Sequence, residues 1–208
     1  TVWNGKDSLG IVVPDGTYTY TIDATDPATG ANAPQVSGTI KVDNTLPTGS
    51  ITSPLADATL SGTVAVKGLA DDTNFSLCYL YYGSGTAPTN WNYITNSGRL
   101  LPDANGNPPT IYNWNTTSLA NGDYVLRLDV YDYAGNIKRV DVPIKLYNVN
   151  IYNLSDSPDP FSPNADGQKD STTITASITT SCNWTINIKD SGGALKRTFT
   201  GTSATISR

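Results

Sequence analysis

Asn121-Gly122-Asp123-Tyr124-Val125-Leu126-Arg127-Leu128-Asp129-Val130-Tyr131-Asp132 sets the architecture of this chain. A tight Asn-Gly turn delivers a tyrosine. From Tyr124 to Val130, apolar side chains then alternate with polar ones, the period-two pattern of a strand with one face in a core. The same arrangement occurs near the start of the chain, where Asp15-Gly16-Thr17-Tyr18 runs on to Ile22-Asp23-Ala24-Thr25-Asp26. In both stretches an Asp closes the strand eight residues after the Tyr. A Tyr so placed buries its ring and returns its hydroxyl to nearby backbone, the tyrosine-corner device of β-sandwiches. Tyr18 and Tyr124 are therefore expected to be structural corners.

Outward from these strands the period stays at two. Thr17 to Ile22, Gly62 to Val66 and Trp184 to Ile188 all alternate, are rich in Val, Ile, Thr and Tyr, and are bounded by Gly, Pro, Asn and Asp. No helical stripe of any length is present, so the chain reads as all-β. Proline and turn chemistry divide it. Val42-Asp43-Asn44-Thr45-Leu46-Pro47 ends one module, and a second joint falls at Leu146-Tyr147-Asn148-Val149. Residues 47–147 hold strand candidates at 62–69, 75–82, 91–94, 110–115, 124–131 and 137–146, enough for a complete sandwich. Residues 1–46 offer about three strands and residues 148–208 about four, too few for either flank alone to bury enough core to be stable.

The flanks carry a resemblance. Pro158-Asp159-Pro160-Phe161-Ser162-Pro163-Asn164-Ala165-Asp166-Gly167-Gln168-Lys169-Asp170, strand Trp184–Ile188 and the turn Asp190-Ser191-Gly192-Gly193 resemble the first half of the immunoglobulin-like domain of flagellar hook-capping proteins. Trp3-Asn4-Gly5-Lys6-Asp7, Gly10 and Val13-Pro14-Asp15-Gly16-Thr17-Tyr18 resemble that domain's second half. The order is permuted, with the back half first. The middle segment is similar to generic bacterial immunoglobulin-like repeats through Trp114-Asn115-Thr116, Gly122, Tyr124 and Asp132-Tyr133-Ala134-Gly135-Asn136. The resemblance implies tandem immunoglobulin-like β-sandwiches: residues 1–46 a C-terminal half, 47–147 complete, 148–208 an N-terminal half. Residues 148–208 are expected to join residues 1–46 of the next copy, either as one period of a covalent tandem array or by strand complementation between subunits. Either join is heterologous and propagates into a filament unless it closes.

Composition narrows the function. The 208 residues include 18 Asp but no Glu and no His, so the usual general bases and zinc ligands are missing. A net charge of −5 without a Lys/Arg run argues against nucleic acid as a partner. No stretch approaches the roughly 18 apolar residues of a membrane span. A structural or binding protein is the expectation, and an enzyme is not.

Four groups of residues could carry chemistry. Ser162, Asn164, Asp166, Gln168 and Asp170 place oxygen side chains at alternating positions around Gly167, a pattern similar to the Ca2+ loops of other proteins. Only two of the five are carboxylates, and the alternative is a metal-free turn capped by Asn164 and Asp166. Asp132, Asn136 and Asp71-Asp72 fall near predicted strand ends, where inter-module Ca2+ sites occur, as does Asp43-Asn44 at the first linker; loop solvation is the alternative. Cys78 and Cys182 form either a disulfide or two buried free thiols. Tyr79, Tyr81, Tyr82, Trp91 and Tyr93 form an aromatic group. It reads as core and inter-repeat packing, with a glycan-stacking face at Trp91 and Tyr93 as the alternative. The reading that follows is an extracellular structural repeat of a cell-surface fibre, stalk or sheath. Its alternatives are a passive spacer in a secreted enzyme or adhesin, or a carbohydrate-binding module.

Overall fold

The computed structural model describes residues 2–208, and among these no helix forms. Thirteen strands follow in chain order. β1 (Gly16–Ile22) and β2 (Val36–Val42) make a two-stranded sheet. β3 (Thr48–Ser53), β5 (Thr63–Asp71) and β8 (Thr110–Asn115) make a three-stranded sheet in the order β3-β5-β8. A five-stranded sheet has the order β4-β10-β9-β6-β7, from β4 (Ala58–Leu60), β6 (Phe75–Ser84), β7 (Asn92–Ser97), β9 (Gly122–Asp132) and β10 (Ile137–Leu146). The last sheet is β11-β12-β13, from β11 (Ile151–Ser157), β12 (Thr173–Lys189) and β13 (Leu195–Ser207).

The alternation of β9 explains the central sandwich. β9 pairs antiparallel with β6, placing Leu80 opposite Leu128, Cys78 opposite Val130 and Tyr82 opposite Leu126 on one face. Tyr79 opposite Asp129 and Tyr81 opposite Arg127 take the other. The first face is core. Cys78, Leu128 and Val130 pack with Ala70 of β5 and Leu100, and Ile51, Phe75, Ile111 and Val140 close around them. Leu80, Leu126, Leu128 and Val130 are fully buried. Each such side chain contributes about 1.5–3 kcal/mol, and a one-residue slip of β9 would turn Leu126, Leu128 and Val130 to solvent.

Two compact units divide the chain. The first runs through Ala58 and takes in Val64–Trp114 and Gly122–Lys145; the second joins Thr59–Thr63, Asn115–Asn121 and Leu146–Arg208. In the second unit, Ala176, Ile178, Trp184 and Ile206 form a small core with Cys182, Ile186 and Phe199 against it. The pairing of β12 with β13 shifts register between Ser177 and Cys182, which bends the long strands over their own apolar face.

Strand content differs from expectation in the flanks. Residues 2–46 form two strands and two isolated bridges, Lys6 to Val12 and Thr25 to Asn32, because the Asn-Gly-Lys-Asp and Leu-Gly turns leave no run long enough for a third strand. The C-terminal flank forms three strands, since Thr173–Lys189 has no Gly or Pro to interrupt it and runs as one.

Candidate functional site

Three carboxylates that sequence reading had placed near strand ends converge in the first unit. Asp43 follows β2, Asp72 follows β5 and Asp132 ends β9, and one oxygen from each lies within 4.8 Å of the others. Asp132 is buried, accepting Asn136 N–H at Oδ1 (2.7 Å) and Asn136 Nδ2–H at Oδ2 (2.8 Å). Asn136 Nδ2 also donates to the Asp43 carbonyl at 3.1 Å. Asp72 Oδ1 accepts Asn74 N–H at 2.6 Å, and Asn74 Nδ2 donates to Asp43 Oδ2. Lys41 Nζ donates to the Asn74 side-chain oxygen, not to a carboxylate. Among the described residues, none of the three carboxylates is ion-paired. Two of the three, Asp43 and Asp72, line a cavity of about 280 Å³ together with Asp15, Lys41 and Asn74. An all-oxygen set of this kind suits a hard cation such as Ca2+. Asp71, also named from sequence, instead pairs with Arg99 Nε at 2.7 Å.

Asp15 ties the same linker to the first hairpin. Its Oδ1 accepts Asn44 N–H (2.6 Å) and Asn44 Nδ2–H (2.9 Å), and its Oδ2 accepts the Thr45 hydroxyl. The Thr45 hydroxyl and the Asn44 N–H, in that order, hold the Asp15 carboxyl below its ordinary range. Tyr18 returns its hydroxyl to the Pro14 carbonyl at 2.8 Å, and its ring meets Trp3 edge-on at 5.6 Å. Tyr124 is 6% exposed, with Tyr82 beside it.

The second linker is held by a network that sequence reading did not find. Asn148, 3% exposed, belongs to the second unit along with its partners. Its Oδ1 accepts Gly62 N–H at 3.0 Å and lies 3.3 Å from the Thr116 hydroxyl. Its Nδ2 donates to the carbonyls of Thr116 (2.7 Å) and Leu119 (3.4 Å). Its backbone N–H donates to Asn121 Oδ1 at 2.6 Å, and Asn121 Nδ2 donates back to its carbonyl at 3.2 Å. Two residues on, Asn150 exchanges bonds with Thr179 of β12 at 2.9 and 3.0 Å. The sequence signal was faint: an Asn between Tyr147 and Val149 directly after a strand, and the Asn of an Asn-Gly turn.

In the loop of residues 162–170 the polar groups serve the loop itself. Asp170 accepts the N–H groups of Ala165 and Gly167, each at 2.8 Å. Asp166 accepts Gln168 N–H at 2.8 Å and Asn164 Nδ2–H at 3.0 Å, and these donors hold its carboxyl below the ordinary range. Asn164 Oδ1 accepts Asp166 N–H, while Ser162 and Gln168 contribute backbone N–H groups. This is the geometry of a capped turn.

Cys78 and Cys182 are both free. Cys78 is core, donating weakly to the Ser97 carbonyl, and burial pushes its thiol up to about 11, which leaves little thiolate for nucleophilic chemistry. The aromatic group divides between faces. Tyr82 stacks near Trp114 on the core side, with ring centroids 5.2 Å apart. Tyr79 and Tyr81 take the opposite parity of β6 from Tyr82, and with Tyr93 of β7, which stands opposite Tyr81, and Tyr131 they form an outer-face group. The Arg127 guanidinium covers one face of Trp91 at 3.6 Å while bonding Asp141 bidentately at 2.7 and 2.6 Å. That face is closed to sugar stacking. Tyr93 is exposed but packs against Tyr79 and Tyr81.

No family model matches the chain, and no curated protein matches it. Several solved structures are distantly similar. One is a tetra-tandem repeat from the extending region of a large adhesion protein, 19% identical, with a TM-score of 0.40 over 93% of this chain and 48% of that one. Another is an engineered protein, 18% identical, with a TM-score of 0.34 over 49% of this chain and 20% of that one. The chain thus spans about half of the first structure and a fifth of the second. At these scores the likeness assigns neither topology nor function.

Proposed function

We propose that the chain is a non-enzymatic structural repeat of an extracellular fibre, stalk or sheath, joined head-to-tail to copies of itself. Sandwiches of immunoglobulin type, related in the flanks to the hook-capping kind, are its modules. The observation that carries the reading is a contrast within one chain. The central sandwich is closed over a buried core. The flanking sheets keep large apolar side chains exposed, among them Ile22, Val36, Ile151 and Leu154 at 56–75%. Exposed apolar faces ask for a partner. Oxygen-rich, Thr-covered outer surfaces keep such an array soluble in the absence of a strong net charge.

Sedimentation velocity and negative-stain microscopy of the 208-residue chain over a concentration series test this. Linear oligomers growing with concentration are expected. A species that stays monomeric up to about 100 μM, with its flanks protected from protease, would remove the structural-repeat reading.

A further inference from the structure

The first hairpin presents one wholly apolar face. Residues directly opposite across a strand pair share a face. Tyr18 stands opposite Ile40, Tyr20 opposite Gly38, and Ile22 opposite Val36, while Thr17, Thr19, Thr21, Ser37, Thr39 and Lys41 take the other side. The Tyr20 ring lies flat across Gly38, where a Cβ would come within 2.4 Å of it. Trp3 packs on Tyr18, and a dent of about 240 Å³ opens between Trp3, Tyr18, Tyr20 and Ile40. Trp3, Tyr20, Ile22, Val36 and Ile40 remain 39–57% exposed. An isolated two-stranded hairpin is marginal in water, so this face calls for cover.

The second unit presents a counterpart. Its small core of Ala176, Ile178, Trp184 and Ile206 lies under the bent β12 and β13, with the Trp184 indole flat across Gly201. The apolar row continues past that core to residues left in solvent. Ile151 stands opposite buried Ile178 and is 66% exposed, and Ile188, next in the row after Ile186, is 37% exposed. Resting on the head-to-tail reading above, we infer that the Trp3/Tyr20/Ile22/Val36/Ile40 face of one copy closes over the β11–β13 face of a second copy. Together they complete a two-layer sandwich.

Two observations select a second copy as the occupant. Every chain carries both faces, and both are exposed within the same chain, so the reciprocal partner is always present at equal concentration. The sizes also fit. Five half-exposed side chains at about 100 Å² each supply on the order of 500 Å² of apolar surface. A standard interface buries roughly 800 Å² per partner, a little over half of it apolar. Because the two faces differ, the join is heterologous, and each dimer leaves one face of each kind open to propagate.

The test uses two double variants at positions exposed in the chain, where an Asp should leave the fold intact. One is Ile22→Asp with Val36→Asp on the hairpin; the other is Ile151→Asp with Ile188→Asp on the sheet. Circular dichroism and the thermal midpoint of the central sandwich check folding. Sedimentation velocity is then run on the wild type, on each variant and on their equimolar mixture. Each variant alone is expected to lose self-association by at least tenfold. The mixture, which retains one intact face of each kind, is expected to form a heterodimer that stops at two. If wild-type oligomers form and either folded variant still assembles like wild type, these faces are not the join, although the head-to-tail reading survives. If the mixture shows no heterodimer, the heterologous pairing is overturned. A wild type that never self-associates sinks the underlying reading itself.

Discussion

Asn148 and Asp43 occupy comparable places in the chain, Asn148 two residues after β10 ends and Asp43 immediately after β2. Both fix a linker to loops far away in sequence, yet their chemistry differs. Asn148 offers donors and an acceptor, and its amide and backbone groups meet neutral partners on Gly62, Thr116, Leu119 and Asn121. Asp43 offers only acceptor oxygens and shares its surroundings with Asp72 and Asp132, so amide donors must be gathered against mutual repulsion. A buried amide network needs nothing from solution. A carboxylate trio is left with a charge that a cation can answer. The second joint should therefore hold under any ionic condition, and the first should respond to ions.

The largest effect is expected from breaking the neutral joint. Asn148→Ala leaves Gly62 N–H and the Thr116 and Leu119 carbonyls without their partner, and each unsatisfied buried group costs about 1–3 kcal/mol. Partial re-pairing through the Thr116 hydroxyl, which already donates to the Gly62 carbonyl at 2.8 Å, limits the loss to about 3 kcal/mol. Urea unfolding should register it, and hydrogen exchange should accelerate across 59–63 and 116–121. Asn148→Asp should cost at least as much, because it turns a charge toward two carbonyls. A loss below ~1 kcal/mol for both would show that the network is incidental.

A smaller, conditional effect is expected at the charged joint. Millimolar Ca2+ should raise the thermal midpoint of the wild type and of Asn148→Ala alike, and chelation should reverse it. A ligand at a hundred times its dissociation constant adds about 2.7 kcal/mol. Asp72→Asn should abolish that response while leaving the ion-free protein as stable or slightly more so, since one repelling charge is gone. A calorimetric scan without any Ca2+ shift, or with the same shift in Asp72→Asn, would mean that the amide donors alone hold the trio.

Smaller still is Tyr18→Phe, which removes one partly exposed bond to the Pro14 carbonyl and should cost about 1 kcal/mol. Exchange at residues 14–18 should quicken while residues 116–121 stay as they were. Equal changes in both places would mean that the two joints are not independent.

How much of this was legible follows from how far apart the interacting residues lie. Local period two placed β6, β8, β9 and β10 to within two or three residues, because each strand's own alternation records which face is core. Asp43, Asp72 and Asp132 could be named singly as strand-end acids, but their convergence depends on three separate loops meeting. Asn148 was harder. Its partners lie 27–86 residues away, and a lone Asn after a strand looks like an ordinary turn residue. Trp91 shows the opposite failure. Its type left a glycan-stacking platform open as an alternative to packing, and only the register of β9 reveals that Arg127 lies over it.

Acid offers the finest separation of the two joints. Asp15 has its carboxyl held below the ordinary value by the Thr45 hydroxyl and the Asn44 amides, and Asp15 is fully exposed. A depressed folded value means that the contact adds stability above the unfolded value of about 3.9. That stability is lost as pH falls from there through the lower folded value. Lowering pH from 5 to 2.5 should therefore free the Asn44 amides and the Thr45 hydroxyl from Asp15, seen as faster exchange at Asn44 after correction for intrinsic rates and as an amide shift change in NMR. The Gly62 and Asn148 amides, whose partners carry no titratable group, should keep their protection over the same range. If both sets open together, acid acts by unfolding the whole chain. If neither moves, the Asp15 contact adds nothing to the first joint.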